Sequence, residues 1–130
     1  MIRAAMEGVA LNLSAVLEIL KRFTTLQESM LMVGGGSRSA LWRQIFADAY
    51  GMPVVKTNID QDAGSLGAAA LGAVGTGLWS DFSRIDEIHN EEGRAEPVPE
   101  SAPQYDRMKR LFEIQRQHCA ELGKSAKEIE

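Results

Sequence analysis

Residues 31–54, LMVGGGSRSALWRQIFADAYGMPV, decide how this chain folds. Met30 to Val33 is a short continuous apolar run that stops at glycine, the pattern of a strand buried on both faces of a parallel sheet. Three glycines follow, Gly34, Gly35 and Gly36, and then Ser37, Arg38 and Ser39. Leu41, Trp42, Ile45, Phe46 and Ala49 return at helical spacing. Gly51 stands where a helix C-terminal glycine belongs, with Pro53 just beyond it. Pro53 to Thr57, PVVKT, predicts a second strand with its proline at the tolerated first position. Two strands joined by a helix are most economically parallel, with a right-handed crossover.

A glycine run between a strand and a helix has two physical explanations. Either the turn is tight, or a ligand must approach bare backbone. The helix N-terminus that follows offers unpaired N–H groups and partial positive charge. Ser37 or Ser39 can cap that helix, and either hydroxyl could also reach a ligand. Arg38 could reach a phosphate or simply remain solvated. The run is not a Walker A loop, because no lysine follows at that spacing, and it is not a complete dinucleotide fingerprint. Gly34, Gly36 and Ser39 occupy the G-x-G-x-x-G positions, so the last glycine is missing. Taken alone, the run leaves a ligand-free turn and a ligand cradle both open.

Upstream, Ile2, Met6, Val9, Leu13, Val16, Leu20 and Phe23 recur at alternating steps of four and three. They form one helical stripe, widened by Ala5, Ala10 and Leu17, and predict a long helix over 1–25 packed on a sheet or another helix. Downstream, residues 58–78, NIDQDAGSLGAAALGAVGTGL, predict a small-residue helix over 62–78, with Asp60 or Asp62 able to cap it. Glycine costs a helix about 1 kcal/mol relative to alanine. Several together predict a backbone or ligand lying very close, with close helix–sheet packing the simpler account. Residues 80–103 hold Pro97, Pro99 and Pro103 with Glu91, Glu92, Glu96 and Glu100, and read as an irregular acidic connector. A final helix is predicted over 104–123, followed by a polar tail that should fray.

At 130 residues the chain suits one domain or a piece of one. Its 45% hydrophobic and 25% charged content is that of a globular protein. A formal net charge of −4 lacks the electrostatic footprint of a nucleic-acid binder, so no nucleic-acid partner is expected. Its one cysteine, Cys119, suggests a reducing compartment. The start shows no secretory pattern, and the longest uncharged run, 63–80, is too rich in glycine and alanine to span a membrane. No membrane partner and a cytoplasmic location are therefore expected.

Read together, GGGSRSALWRQIFADAYGMPV and DAGSLGAAALGAVGTGLW resemble the C-terminal region of the FGGY family of carbohydrate kinases, and within it the xylulose kinases. AAMEGVALNLSAVLEIL resembles the family helix before the loop, and YDRMKRLFEIQRQ the closing helix, so the likeness runs along nearly the whole chain. The loop with Trp42, Arg43, Gln44, Ala47 and Asp48 resembles the family's adenosine motif. The resemblance implies an α/β fold of the actin and hexokinase ATPases: a partial ribonuclease H-like domain, here two short parallel strands packed with four helices. It implies transfer of the γ-phosphate of Mg-ATP to a sugar hydroxyl, with ATP and Mg2+ as cofactors. ATP or ADP and a sugar, xylulose first, would be the partners. Gly34, Gly35 and Gly36 would bind the nucleotide, and Ser39 stands where many relatives carry an asparagine near the adenine. The small-residue helix would help shape the same cleft.

The family's Asp-x-Gly-Thr phosphate segment, its sugar-binding residues and its general-base aspartate have no counterpart here. No catalytic or metal-binding residue is therefore assigned. Residues 1–130 read as a C-terminal fragment of the family's C-terminal domain, inactive alone, with the missing groups expected upstream. Two strands would leave an open sheet edge and the first helix unpartnered, which predicts self-association. The alternative is a non-catalytic α/β interaction module that assembles through the amphipathic helix 2–23. A dinucleotide-binding oxidoreductase half fits less well, since no acidic residue ends the second strand.

Overall fold

Helix α2 (Ala40–Tyr50) is the hub of the fold, and local chemistry sets both its ends. Ser39 has extended backbone and its hydroxyl accepts the Trp42 N–H at 3.2 Å, an N-cap. Gly51 closes the helix in the left-handed region at φ 67°, with its N–H on the Ala47 carbonyl at 2.8 Å. Between these caps Ile45, Phe46, Ala47 and Ala49 are buried. Burying a side chain such as Ile45 contributes about 1.5–3 kcal/mol. They form the core with Ala10, Leu11, Val54, Ala95 and Tyr105.

The computed structural model describes residues 1–127. In chain order the other elements are α1 (Ile2–Leu20), β1 (Met30–Leu31), β2 (Val54–Thr57), α3 (Ala63–Gly75), α4 (Arg84–Ile88), β3 (Glu91–Ala95) and α5 (Ala102–Lys127). Short 3-10 turns cover Gly35–Arg38 and Pro99–Ser101. The sheet runs β1-β2-β3, with β1 parallel to β2 and β3 antiparallel to it. Met30 pairs with Val54 and Leu31 with Val55; Val54, Val55 and Lys56 face Ala95, Arg94 and Gly93. The register slips between Lys56 and Thr57.

Four expectations need correction. The sheet has three strands, not two, and the supposed irregular connector holds α4 and β3. The sequence EEGRA hides its strand because only Ala95 is buried. The other side chains face solvent or form ion pairs, Lys56 with Glu92 and Arg94 with Glu91 and Glu96. A charged edge of this kind resists further strand pairing.

The second correction concerns β1, which is an edge strand with Leu31 exposed rather than a strand buried on both faces. The third concerns α1. Its buried face is Ala10, Leu11, Ser14 and Leu17, packed toward α2 and α5, while Val9, Leu13, Val16 and Leu20 are each 40–50% exposed. Each of Val9, Leu13 and Val16 precedes a buried residue by one position, a rotation of about 100°. The helix is apolar over a wide arc, and the smaller side chains Ala10 and Ser14 allow the closer approach. The larger stripe is left facing outward, where Leu13 joins Met30, Met32 and Tyr50 in an open apolar groove of about 280 Å³.

The fourth correction is α3. A Cβ placed on Gly64, Gly67, Gly72 or Gly75 would meet nothing within 4 Å, and only Ala70 is buried. The close packing expected of a glycine-rich helix does not occur among the described residues. Nor does an aspartate side chain cap it: Asp62 holds the N-cap position without a side-chain bond, and Asp60 is engaged elsewhere. Among the described residues no helix is long and apolar enough to cross a membrane. Helix α5 continues through Lys127, into the tail expected to fray; residues 128–130 lie outside the described part.

Candidate functional site

The glycine loop leaves β1, and a second loop, residues 58–62, leaves β2. Because β1 and β2 are parallel, both loops lie at carboxyl ends of strands, where open α/β sheets bind ligands. Asp60 clips them together. Its carbonyl accepts the Gly34 N–H at 2.8 Å, and its carboxylate takes Arg38 in a two-point pair, Nε to Oδ2 at 2.7 Å and Nη2 to Oδ1 at 3.3 Å. The Arg38 guanidinium, helped by the Gln61 N–H, holds the Asp60 carboxyl below its ordinary range. Arg38 is thus neither free for a phosphate nor merely solvated.

The three glycines serve different ends. Gly34 sits at φ 81° and ψ −176°, a backbone region that only glycine enters readily. Gly36 lies under Trp42: a Cβ there would stand 3.1 Å from both Trp42 Cε3 and Met32 Cε. A Cβ on Gly34 would meet nothing within 4 Å, and Gly35 is open too. It is exposed, and the nearest atom to a Cβ would be Gln61 Nε2 at 3.9 Å. Of the four residues predicted to bind nucleotide, the structure brings Gly34, Gly35, Gly36 and Ser39 into one turn, with bare outward backbone at Gly35. Ser37 is fully buried, its N–H and hydroxyl both donating to the Gly34 carbonyl at 3.0 and 2.7 Å. Its hydroxyl therefore does not face a ligand. The Ser39 hydroxyl accepts the cap bond and keeps its proton to donate.

The helix part of the motif divides into separate tasks. Trp42 covers Gly36 and stacks on Phe46 at 6.2 Å and 22°. Gln44 donates to Asp48 Oδ1 at 3.0 Å and to the Glu96 carbonyl at 2.8 Å. Buried Asp48 also accepts the Val98 N–H at 2.8 Å. Gln44 and Asp48 therefore hold the chain as it leaves β3, away from the loop. Sequence reasoning missed the polar residues that β3 brings to the same end of the sheet. Thr57 Oγ1 lies 3.0 Å from His89 Nδ1, and Asn58 and Asn90 exchange two bonds. The only signal for them was the helix and strand hidden in residues 80–103.

The model of the FGGY family of carbohydrate kinases, C-terminal domain, matches residues 1–76. The chain belongs to this family. An uncharacterised sugar kinase of Escherichia coli (strain K12), YgcE, is 32% identical over 98% of the chain and 26% of its own length. The gluconokinase of Bacillus licheniformis is 35% identical over 86% of the chain and 22% of its own length. A ligand-bound xylulose kinase from Lactobacillus acidophilus superposes with a TM-score of 0.77 and 29% identity, over 93% of the chain and 25% of that structure. The chain thus spans about a quarter of the length of these FGGY relatives. Its mixed sheet with surrounding helices matches the C-terminal domain of FGGY kinases, an actin/hexokinase-type ATPase fold.

Sugar kinases of this family use ATP and Mg2+ generally. The exposed backbone at Gly35 leaves room for a flat group such as a nucleoside, since a Cβ there would meet only Gln61 Nε2, at 3.9 Å. The metal finds no such fit: among the described residues no three His, Cys, Asp or Glu side chains gather to hold one. No step through Mg2+ is therefore derived for these residues.

Proposed function

We propose that this chain supplies the adenosine-binding side of the ATP cleft in a sugar kinase that phosphorylates a pentulose, xylulose first among the candidates. The observation that carries the reading is the bare, exposed Gly35 backbone at the carboxyl ends of β1 and β2, in a chain of the FGGY family. Gly34 sets the turn, Gly36 seats the loop on Trp42, and Ser39 offers a hydroxyl proton beside it. The pentulose assignment draws support from structural neighbours that are xylulose kinases, against a neighbour that is a gluconate kinase and relatives that are glycerol and autoinducer-2 kinases. ATP and sugar as partners, with a single cysteine, favour a cytoplasmic location.

In the kinase that carries this chain, Gly35→Val should raise the KM for ATP by about tenfold, the equivalent of about 1.4 kcal/mol. An unchanged ATP KM would refute the adenosine role. Turnover of xylulose beside gluconate and glycerol tests the substrate, and a preference for either of the last two would overturn the pentulose assignment.

The outward apolar face of α1 and the open β1 edge favour a second reading for the isolated chain, self-association. Light scattering at micromolar concentration should show a dimer or larger. A dispersed monomer would rule this out.

A further inference from the structure

We infer that Arg43 is the positioning residue of the glycine loop, and that Gly93 on β3 is glycine so that the arginine can reach it. The inference rests on the adenosine-binding reading of the loop. Arg43 sits in the first turn of α2, its N–H on the Ser39 carbonyl at 3.0 Å. Side chains on a helix lean toward its N-terminus, which here means back toward the loop. Arg43 Nη1 donates to the carbonyl of Ser37.

Ser37 is the pivot of the turn. It is fully buried, and both its donors close on the Gly34 carbonyl. Fixing the Ser37 carbonyl therefore fixes the backbone of Gly35 and Gly36, which lie between the two residues. On its other side the guanidinium lies over β3. A Cβ at Gly93 would stand 3.3 Å from Nη2, 3.6 Å from Cζ and 3.8 Å from Nε. Gly93 pairs with Lys56 of β2, and β2 leads into the Asp60–Gln61 loop that holds Gly34. The arginine thus measures the distance between the glycine loop and the far side of the sheet.

Arg43 does this at a local cost, since its Nε is buried without a hydrogen-bond partner. A residue present only to fill space would not carry such a donor. The guanidinium fork can bond the Ser37 carbonyl and still lie close to Gly93, whereas a lysine ammonium offers a single point charge.

The test is steady-state kinetics of the intact kinase with five variants. Arg43→Ala should raise the KM for ATP between about twofold and thirtyfold, the range for residues that couple to a site without touching ligand. The sugar KM and kcat should change little. Gly93→Ala should act in the same direction, but should add nothing in the Arg43→Ala background, because the space it invades is then empty. Arg43→Lys should recover part of the loss through one N–H to Ser37. An ATP KM left unchanged by Arg43→Ala, or fully additive effects of Arg43→Ala and Gly93→Ala, would overturn the inference. Gly35→Val distinguishes the two readings: if it too leaves the ATP KM unchanged, the adenosine role itself has failed.

Discussion

The three consecutive glycines should respond to alanine in three different ways. At Gly34, φ 81° with ψ −176° places an alanine in a region it scarcely enters, at a cost of about 1–3 kcal/mol. At Gly36 the new methyl would stand 3.1 Å from Met32 Cε and 3.1 and 3.2 Å from two Trp42 ring atoms. The methionine end can swing away. The indole cannot easily retreat, because it stacks on Phe46, which packs in turn on Tyr50 at 5.3 Å. Overpacking of this kind costs about 1–3 kcal/mol. Stiffening the unfolded chain returns about 0.4–1 kcal/mol. The net for Gly36→Ala is then a loss of about 0.5–2 kcal/mol. Gly35→Ala meets only Gln61 Nε2 at 3.9 Å, an ordinary contact, and should be neutral or stabilising by up to about 1 kcal/mol. Urea unfolding at constant m gives the comparison. The Gly35 and Gly36 variants should differ by about 0.5–3 kcal/mol, or about 2–12 °C in Tm. Equal stability of the two would refute the claim that Gly36 is reserved for Trp42 while Gly35 is left open.

Three further outcomes follow from single contacts. Asp48→Ala strands the Val98 N–H and frees Gln44, and should lower stability by about 1–3 kcal/mol in urea unfolding. Ser39→Ala removes the α2 cap and should cost about 1 kcal/mol, with a Ser39→Asp variant restoring most of it in the same assay. Arg38 holds Asp60 below its ordinary value of 3.8, so the clasp is fully formed above that pH and is lost as the pH falls through the lowered value. Arg38→Met should therefore shrink the stability difference between pH 6 and pH 2, and an identical acid profile for the variant would count against the clasp.

What was legible in the sequence depended on chain distance. The Ser39 cap, the Gly51 stop and the strand–glycine–helix order are each written within a few residues, and local hydrogen bonding enforces them. The Arg38–Asp60 clasp spans 22 residues and the Gln44 bond to Glu96 spans 52, and no periodicity signals either. Strand β3 escaped because a charged edge strand needs no apolar alternation. The four-three spacing placed Ala10 and Leu17 at the margin of the α1 stripe, and the buried face is centred there instead. Ala10 and Ser14 are buried because they are small enough to let helices approach, while the larger Val9, Leu13 and Val16 are left outside. The run of three left a tight turn and a ligand cradle both open, and the structure divides the positions: space is free at Gly34 and Gly35, while Trp42 and Met32 crowd Gly36. Gly34 answers to backbone geometry and Gly36 to an indole ring, and those two constraints leave the Gly35 backbone exposed at the carboxyl ends of the parallel strands.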